Sequence, residues 1–557
     1  MQNGTIKLKD LFNGDRIFNI PKYQRTYAWK DENLEYFLDD LINQRGDKSY
    51  FLGTLLFHER EARGEYEVID VVDGQQRLTT IIIFMSVVID ILSSKNSKKI
   101  TKKTYKRYIY DDESYTLELQ NEDSHFLHNY IFENNELSSF ETPSQKRLFD
   151  AKKYFKKELS NFNVEKIEQI YDVLTNADII IYIVDKISDA TQIFELLNDR
   201  GRRLTRLEGI KSFLMYRIGC LNLKDDGEQS INVIQSSFSS IYRMIEREEI
   251  NENDLLRYHT IAFEKSKTED YNTPHKFIKN KINGLFEQNS NDIEIKDEIL
   301  NYVERLQKSF TIFTDIKKNL IHCPKLNDLV MIGRINPFYP LMMNIYKNNK
   351  KLLCAFITDL VRFTFNATLI GLRNDNEGFY SYIRKKEEFK DLFIGIIHDN
   401  WWNINKRVDE VLTYRNFYEW VNKNMLKYIL FSYENHLRKE KGYPLLTKEN
   451  YFSTDTRERL SIEHITAQRV KNIKSDVEFS DSYLHALGNL VIDTTSSNSR
   501  KGNKKVEDKM SEFIKSPIMS QNEINNTQID WNKIDDIKKF INERNDRIIS
   551  FIKNNLI

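Results

Sequence analysis

The stretch Leu460-Ser461-Ile462-Glu463-His464-Ile465 is followed by Leu487-Gly488-Asn489-Leu490-Val491-Ile492 and then by Asn498-Ser499-Arg500-Lys501-Gly502-Asn503-Lys504. Apolar residues flank both the Glu-His and the Gly-Asn pair, which predicts two short strands; the pattern from Lys504 to Phe513 predicts a helix after them. A polar pair, a second polar strand position and a polar helix entry then converge on one small site. Its chemistry points to phosphodiester hydrolysis. A neutral imidazole near pH 7 takes a proton from water, so His464 is the candidate general base. Glu463 offers a carboxylate and Asn498 an amide oxygen, ligands that Mg²⁺ or Mn²⁺ accepts, and such a cation would hold the scissile phosphate. Asn489 is expected to hydrogen-bond the backbone around His464, and Arg500, Lys501 and Lys504 to meet DNA phosphates. Adjacent strand residues point to opposite faces, so Glu463 and His464 share a site only if the strand ends or bends there.

These segments resemble the HNH (ββα-metal) nucleases, and most closely the C-terminal nuclease domain of GmrSD-type modification-dependent (type IV) restriction enzymes. That family's pattern is Ile-Glu-His-Ile-x-Pro-Gln, then Gly-Asn-Leu, then a later Asn and Lys. Gln468, Asn503 and Lys509 continue the match, and Ala467 stands where the family has Pro. The plainer alternative is a surface Glu-His pair on an ordinary hairpin. Three segments in the right order weigh against it.

A chain of 557 residues is too long for one core. Lys+Arg 83 balances Asp+Glu 83, so DNA binding has to come from local patches rather than a global field. Cys220, Cys323 and Cys354 are scattered, which argues against a disulfide framework and against a zinc knuckle and suggests a reducing, cytoplasmic setting. Met1 to Asp10 is polar and predicts no signal peptide; the apolar run Ile81 to Leu92 is broken by Asp90 and reads as too short for a bilayer, so no membrane is expected. Low Gly and Pro beside 30% charged residues favour a helix-rich protein.

Toward the N-terminus, Ile20-Pro21-Lys22-Tyr23-Gln24-Arg25-Thr26-Tyr27-Ala28-Trp29 reads as a loop, because Pro21 stops a helix. Its residues leave two readings open: a surface that stacks a base or grips a phosphate, or core aromatics with a solvated Arg25. Tyr50 to Phe57 and Glu65 to Val72 read as strands. The second runs into Asp73-Gly74-Gln75-Gln76-Arg77 and an apolar helix to about Leu92. Strand, Asp-Gly turn and helix make an anion-binding arrangement, in which Arg77 could clamp a phosphate and Asp73 hold a metal or orient water. An ordinary turn and cap is the alternative. Lys95 to Lys106 reads as a connector, Tyr154 to Ile170 as a helix and Asp178 to Asp185 as a buried strand. Gly201 reads as a helix stop, with Asn198 and Arg200 beside it. Tyr414 to Lys439 reads as one long helix.

The segments Ile-Pro-x-Tyr-Gln-Arg-x-Tyr-x-Trp, Phe-Leu-Gly-Thr, Asp-Gly-Gln-Gln-Arg-Leu-Thr-Thr and Ile-Phe-x-x-Leu-Asn-x-Arg-Gly together look like the ParB/sulfiredoxin-like NTPase domain of the same family. That resemblance implies a nucleotide site at Asp73, Gly74, Gln75, Gln76 and Arg77. It places Tyr23, Gln24 and Arg25 beside the site or on a DNA-sensing surface, and completes the pocket with Asn198, Arg200 and Lys211. The whole reading is a helix-rich α+β protein. It has a ParB/sulfiredoxin-like α/β domain at 1–215, a helical linking bundle at 216–410 and an HNH nuclease domain at 411–557. Its expected work is defence: sensing modified phage DNA, hydrolysing GTP or ATP, and cutting or nicking double-stranded DNA with Mg²⁺ or Mn²⁺ in a bacterial or archaeal cytoplasm. The alternatives are a nucleotide-switched DNA-binding protein without cleavage and a nuclease toxin restrained by its own N-terminal domain. A homodimer stays open.

Overall fold

A computed structural model describes residues 3–44, 50–120, 122–137, 139–184, 205–223, 226–264, 266–288, 290–318, 323–372, 376–385, 403–467, 476–525 and 529–557. The chain forms two compact units, one of Met1–Thr260 with Ser266–Thr314, the other of Ile261–Lys265 with Asp315–Ile557. The class is the helix-rich α+β expected.

The first unit is built on a six-stranded mixed sheet. Its strands are β1 (Gly4–Lys7), β2 (Arg16–Asn19), β3 (Phe51–Glu59), β4 (Glu67–Asp73), β5 (Leu117–Glu118) and β6 (Asp178–Val184), in the spatial order β1-β6-β3-β4-β2-β5. β3 and β4 pair antiparallel, whereas β3–β6 and β2–β4 pair parallel. One sheet face carries Phe18, Leu55, Phe57, Ile69 and Val71, and packs with the apolar helix Gln75–Ser94 in one continuous core. Period-2 alternation in the strands and an almost uniformly apolar helix produce this layer directly. That helix and the run Asn336–Leu369 are long and apolar enough to cross a membrane by length and composition alone; 72% and 67% of their apolar windows are buried inside the protein. The helix Gln75–Ser94 extends beyond the Ile81–Leu92 run that composition marks at both ends.

Several boundaries differ from the sequence reading. The connector after residue 95 contains a helix, Lys102–Tyr108. The helix expected over Tyr154 to Ile170 is two, Pro143–Leu159 and Val164–Thr175, because Asn163 accepts a hydrogen bond from Lys166 N–H and starts a new helix. The helix expected over Tyr414 to Lys439 starts only at Lys423, where Asn422 caps it; the short helix Phe417–Trp420 precedes it. The segment 190–201 lies outside the described residues.

In the second unit, β7 (Leu460–His464) and β8 (Leu490–Thr494) form a two-stranded antiparallel ribbon followed by the helices Thr495–Lys501 and Val506–Ile514. The last helix, Ile534–Asn555, seats on the Leu487–Asn489 turn. A Cβ on Gly488 would stand 2.1 Å from Ile541 O, so glycine is required for this approach. Fully buried Arg544 then donates to Gly488 O at 2.9 Å and Leu490 O at 2.7 Å, and pairs with Glu523 at 3.1 Å.

Candidate functional site

In the ribbon, Glu463 lies opposite Val491 and His464 opposite Leu490. The strand ends at His464, but both residues still alternate, and their partners lie on different sides. Glu463 points into a sealed polar cluster. Its Oε1 accepts from Lys509 Nζ at 2.7 Å, and the same ammonium reaches His464 O at 3.2 Å. Next to it, Asp493, which lies opposite Ser461, holds Lys501 Nζ at 2.8 Å; Lys501 also donates to Gln521 Oε1 at 2.8 Å. Two carboxylates and two ammoniums thus meet inside the unit and neutralise one another, as buried charges must. Burial pushes the Glu463 carboxyl upward, opposed by Lys509.

Lys501 is therefore not a DNA-phosphate contact. It is fully buried, paired with Asp493 and set against the Phe513 ring at 4.4 Å. Arg500 and Lys504 are at the surface, their side chains 70% and 51% exposed, each beside the Glu512 carboxylate. Pairs this exposed are weak and leave both cations able to meet a phosphate.

His464 faces the other way. Its Nε2 lies 3.2 Å from His485 Nδ1, and the Tyr418 ring stands edge-on to it at 4.7 Å. Burial, with His485 second and Lys509 and Lys423 after it, pushes the His464 imidazole down to about 3. The ring is neutral throughout the physiological range. Asn489 is fully buried and braces the two residues after His464. Its Oδ1 accepts from Thr466 N–H at 2.9 Å, its backbone oxygen accepts from Ile465 N–H at 2.9 Å, and its Nδ2 donates to Leu484 O at 2.7 Å. Asn498 Nδ2 donates to Ser461 Oγ at 2.9 Å and Ile462 O at 3.2 Å, tying its helix to β7.

No cluster of three or more His, Cys, Asp or Glu gathers among the described residues. The donors fit Mg²⁺ or Mn²⁺ only in its sparse form, with one carboxylate and one amide oxygen and with phosphate and water completing the shell. Asn498 has its nitrogen committed to Ser461 and Ile462, so only its oxygen remains as an acceptor. Glu463 has one oxygen on Lys509 inside that sealed cluster, on the opposite side of the strand from the His464 ring.

In the first unit, Gly74 caps the helix Gln75–Ser94 with φ 85°, and a Cβ there would meet Leu55 Cδ2 at 2.2 Å. Arg77 lies across Gly53 and donates to Thr54 O at 3.2 Å. Asp73 and Arg77 border the helix start partly exposed, and the carboxyl of Asp73 is raised mainly by burial. Arg25 pairs with Glu208 at 3.2 Å. The amides of the two motifs serve the fold instead. Gln76 Nε2 donates to Thr26 O at 3.0 Å and its Oε1 accepts from Ala28 N–H at 2.7 Å. Gln24 Nε2 donates to Val72 O at 2.7 Å, and Gln75 Nε2 to Gln24 Oε1 at 3.2 Å. Gln24, Gln75 and Gln76 are buried and brace the Pro21–Lys30 loop against the helix start, so their side chains are not ligand contacts as arranged. Lys211 is likewise buried. It donates to Tyr23 O at 3.1 Å under the Tyr23 and Tyr242 rings, and desolvation lowers it to about 8. Tyr23 is buried beneath that contact. Asn198, Arg200 and Gln468 lie outside the described residues.

The sequence reading missed His485, Tyr418, Asp493, Gln521 and Glu208. One of these carried a signal. Asp493 is a lone charge in an apolar strand, as Lys509 is on the Val506, Met510, Phe513 stripe, and a charge at an inward position predicts a buried partner. His485, Tyr418, Gln521 and Glu208 had none.

Residues 8–215 match the family described as GmrSD restriction endonuclease, N-terminal domain, and residues 402–551 match the family described as GmrSD restriction endonucleases, C-terminal domain. No curated protein matches the chain.

Proposed function

The chain belongs to the GmrSD restriction endonuclease family and is a nuclease acting on DNA; on that premise we propose that it senses modified foreign DNA, hydrolyses an NTP and cuts through the site around His464. The observation that carries the cutting role is His464, a neutral imidazole held by a second ring on a ribbon whose turn Asn489 braces. In this reading His464 takes the proton of the attacking water. Glu463 and Asn498 would hold Mg²⁺ or Mn²⁺, which supplies charge stabilisation at the leaving oxygen. Arg500 and Lys504 meet the flanking phosphates. In the first unit, the helix start at Gly74 with Arg77 would receive the nucleotide phosphates, and Asp73 would orient water or metal. GTP and ATP both satisfy that chemistry.

The test is plasmid cleavage with modified and unmodified DNA in Mg²⁺ or Mn²⁺, with NTP turnover measured alongside. His464→Ala should cut about 10²–10⁴-fold more slowly while binding DNA and turning over NTP as before. Wild-type cutting by that variant removes His464 from the mechanism. Arg77→Ala should lose NTP turnover and, if the nucleotide controls the nuclease, restriction of modified phage with it. The Lys509–Glu463 pair favours a second reading, a nucleotide-switched DNA-binding protein without cleavage, because it occupies one oxygen of the metal-binding carboxylate. Absence of any cutting by the wild-type protein with either metal decides for that reading.

A further inference from the structure

Resting on the reading of the surroundings of His464 as the cutting site, we propose that the strip 414–423 beside it is a DNA-contact surface: the Lys423 ammonium takes a backbone phosphate, and Trp420, packed on Tyr414, stacks on an unpaired base. The backbone of the strip is fixed to the site. Phe417 and Val421 are buried and anchor it inward. Tyr418 N–H donates to His485 O at 2.9 Å, and the Tyr418 ring meets His464 edge-on at 4.7 Å and stacks on His485 at 5.5 Å. Tyr418 and Trp420 lie about 200° apart around the short helix Phe417–Trp420, so one ring faces the imidazoles and the other faces solvent.

Trp420 is 74% exposed and Tyr414 43%, and their rings pack together with centroids 6.1 Å apart. Tryptophan is seldom left so open to water, and two adjoining rings on an anchored backbone form a stacking face that is in place before any ligand arrives. Bases offer the matching π-face whatever their sequence. The charges around the ring pair select an anionic partner. Lys423 Nζ lies over the Tyr418 ring and bonds Tyr418 O, and Arg415 donates to Asn542 Oδ1 at 2.6 Å. Both cations rest on neutral groups, which leaves their charge for a phosphate. Glu419 is the one carboxylate in the strip. Its Oε2 accepts from Asn416 Nδ2 at 2.7 Å, and its field reaches Lys423 without a direct bond. Two cations against one carboxylate make the strip complementary to DNA. Lys423 also stands close enough to the site for its charge to lower both His464 and His485, which puts its ammonium where a phosphate approaches the imidazoles.

The probe is a linear duplex with a short single-stranded gap, bound to the full chain in EDTA so that nothing is cut, with the intact duplex as reference. Trp420→Ala changes a side chain already in water, so folding is not at risk. It should bind the gapped duplex about 5–150-fold more weakly, the scale of one base–aromatic stack, and the intact duplex nearly as wild type does. Trp420→Phe keeps a ring and should recover most of the affinity. Lys423→Met should flatten the slope of log affinity against log salt by about 0.9, one phosphate contact, and Lys423→Arg should keep the slope. Trp420→Ala that binds the gapped duplex like wild type, or a slope unchanged in Lys423→Met, overturns the proposal. So does a Trp420→Ala that alters only the sedimentation of the free protein, because the ring pair is then a contact between copies of the chain. If the wild-type protein binds DNA and never cuts it, the cutting assignment fails by itself, and the binding data still decide the role of the strip.

Discussion

Lys509→Met is the substitution whose cost the geometry sets most directly. The Lys509 side chain is fully buried, that of Glu463 is 7% exposed, and the ammonium makes both the 2.7 Å bond to Glu463 and the 3.2 Å bond to His464 O. Methionine keeps the volume and removes the charge, leaving a buried carboxylate without its ammonium and taking one hydrogen bond from His464 O. Removing one partner of a buried pair costs about 3–5 kcal/mol. Glu463 can relieve part of this by taking a proton, toward which burial already drives it. A carboxyl whose folded pKa lies above its unfolded value loses stability as pH rises, so the deficit should be larger at pH 8 than at pH 5. The double variant Lys509→Met/Glu463→Gln removes both charges and should recover most of the loss. A chain with two compact units is not a two-state folder, so the readout is hydrogen–deuterium exchange of the β7 and β8 amides in EDTA. At tenfold per 1.4 kcal/mol, the single variant should exchange about 10²–10⁴ times faster there. An acceleration below tenfold, or a double variant as fast as the single, refutes the view that this pair holds the ribbon to its helix.

Three further outcomes follow from the packing. Gly488→Ala places a Cβ 2.1 Å from Ile541 O and 2.9 Å from Asn545 N; because both are backbone atoms, the last helix must shift at a cost of roughly 1–3 kcal/mol, and its amides should exchange about 5–150 times faster. An unchanged exchange rate would show that the helix seat is loose. Gln76→Ala frees Thr26 O and Ala28 N–H, should cost about 1–3 kcal/mol, and should speed tryptic cutting at Lys22, Arg25 or Lys30; cutting at the wild-type rate would mean the loop is held by other contacts. Acidification should loosen the second unit before it affects His464-free variants: His464 is held near 3 in the fold against 6.5 unfolded, so stability is lost as pH falls from about 6.5 toward 3, by about 1.4 kcal/mol per pH step. A flat exchange rate of the ribbon amides across that window opposes it.

The sequence by itself determined the elements whose patterns are local. Leu460–His464 alternates apolar and polar residues and Leu490–Thr494 opens on a short apolar run, which marks both as strands, and Gln75–Ser94 is a helix because a Gly turn opens onto a long, mostly apolar segment. The family and the helix-rich α+β class were legible for the same reason: the motifs occupy consecutive positions. What the side chains of those motifs do was decided by the tertiary structure. Gln24, Gln75 and Gln76 read as ligand contacts, yet they brace one loop against one helix start, because their partners lie about fifty residues away. Lys501 read as a phosphate contact, yet it is sealed against Asp493 and Gln521, because the turn of its helix points it inward. His485 and Tyr418 carry no mark in the sequence. They join His464 only when a helix 46 residues upstream and a loop 21 residues downstream close on the strand end, and burial there, not residue type, sets the state of the imidazole.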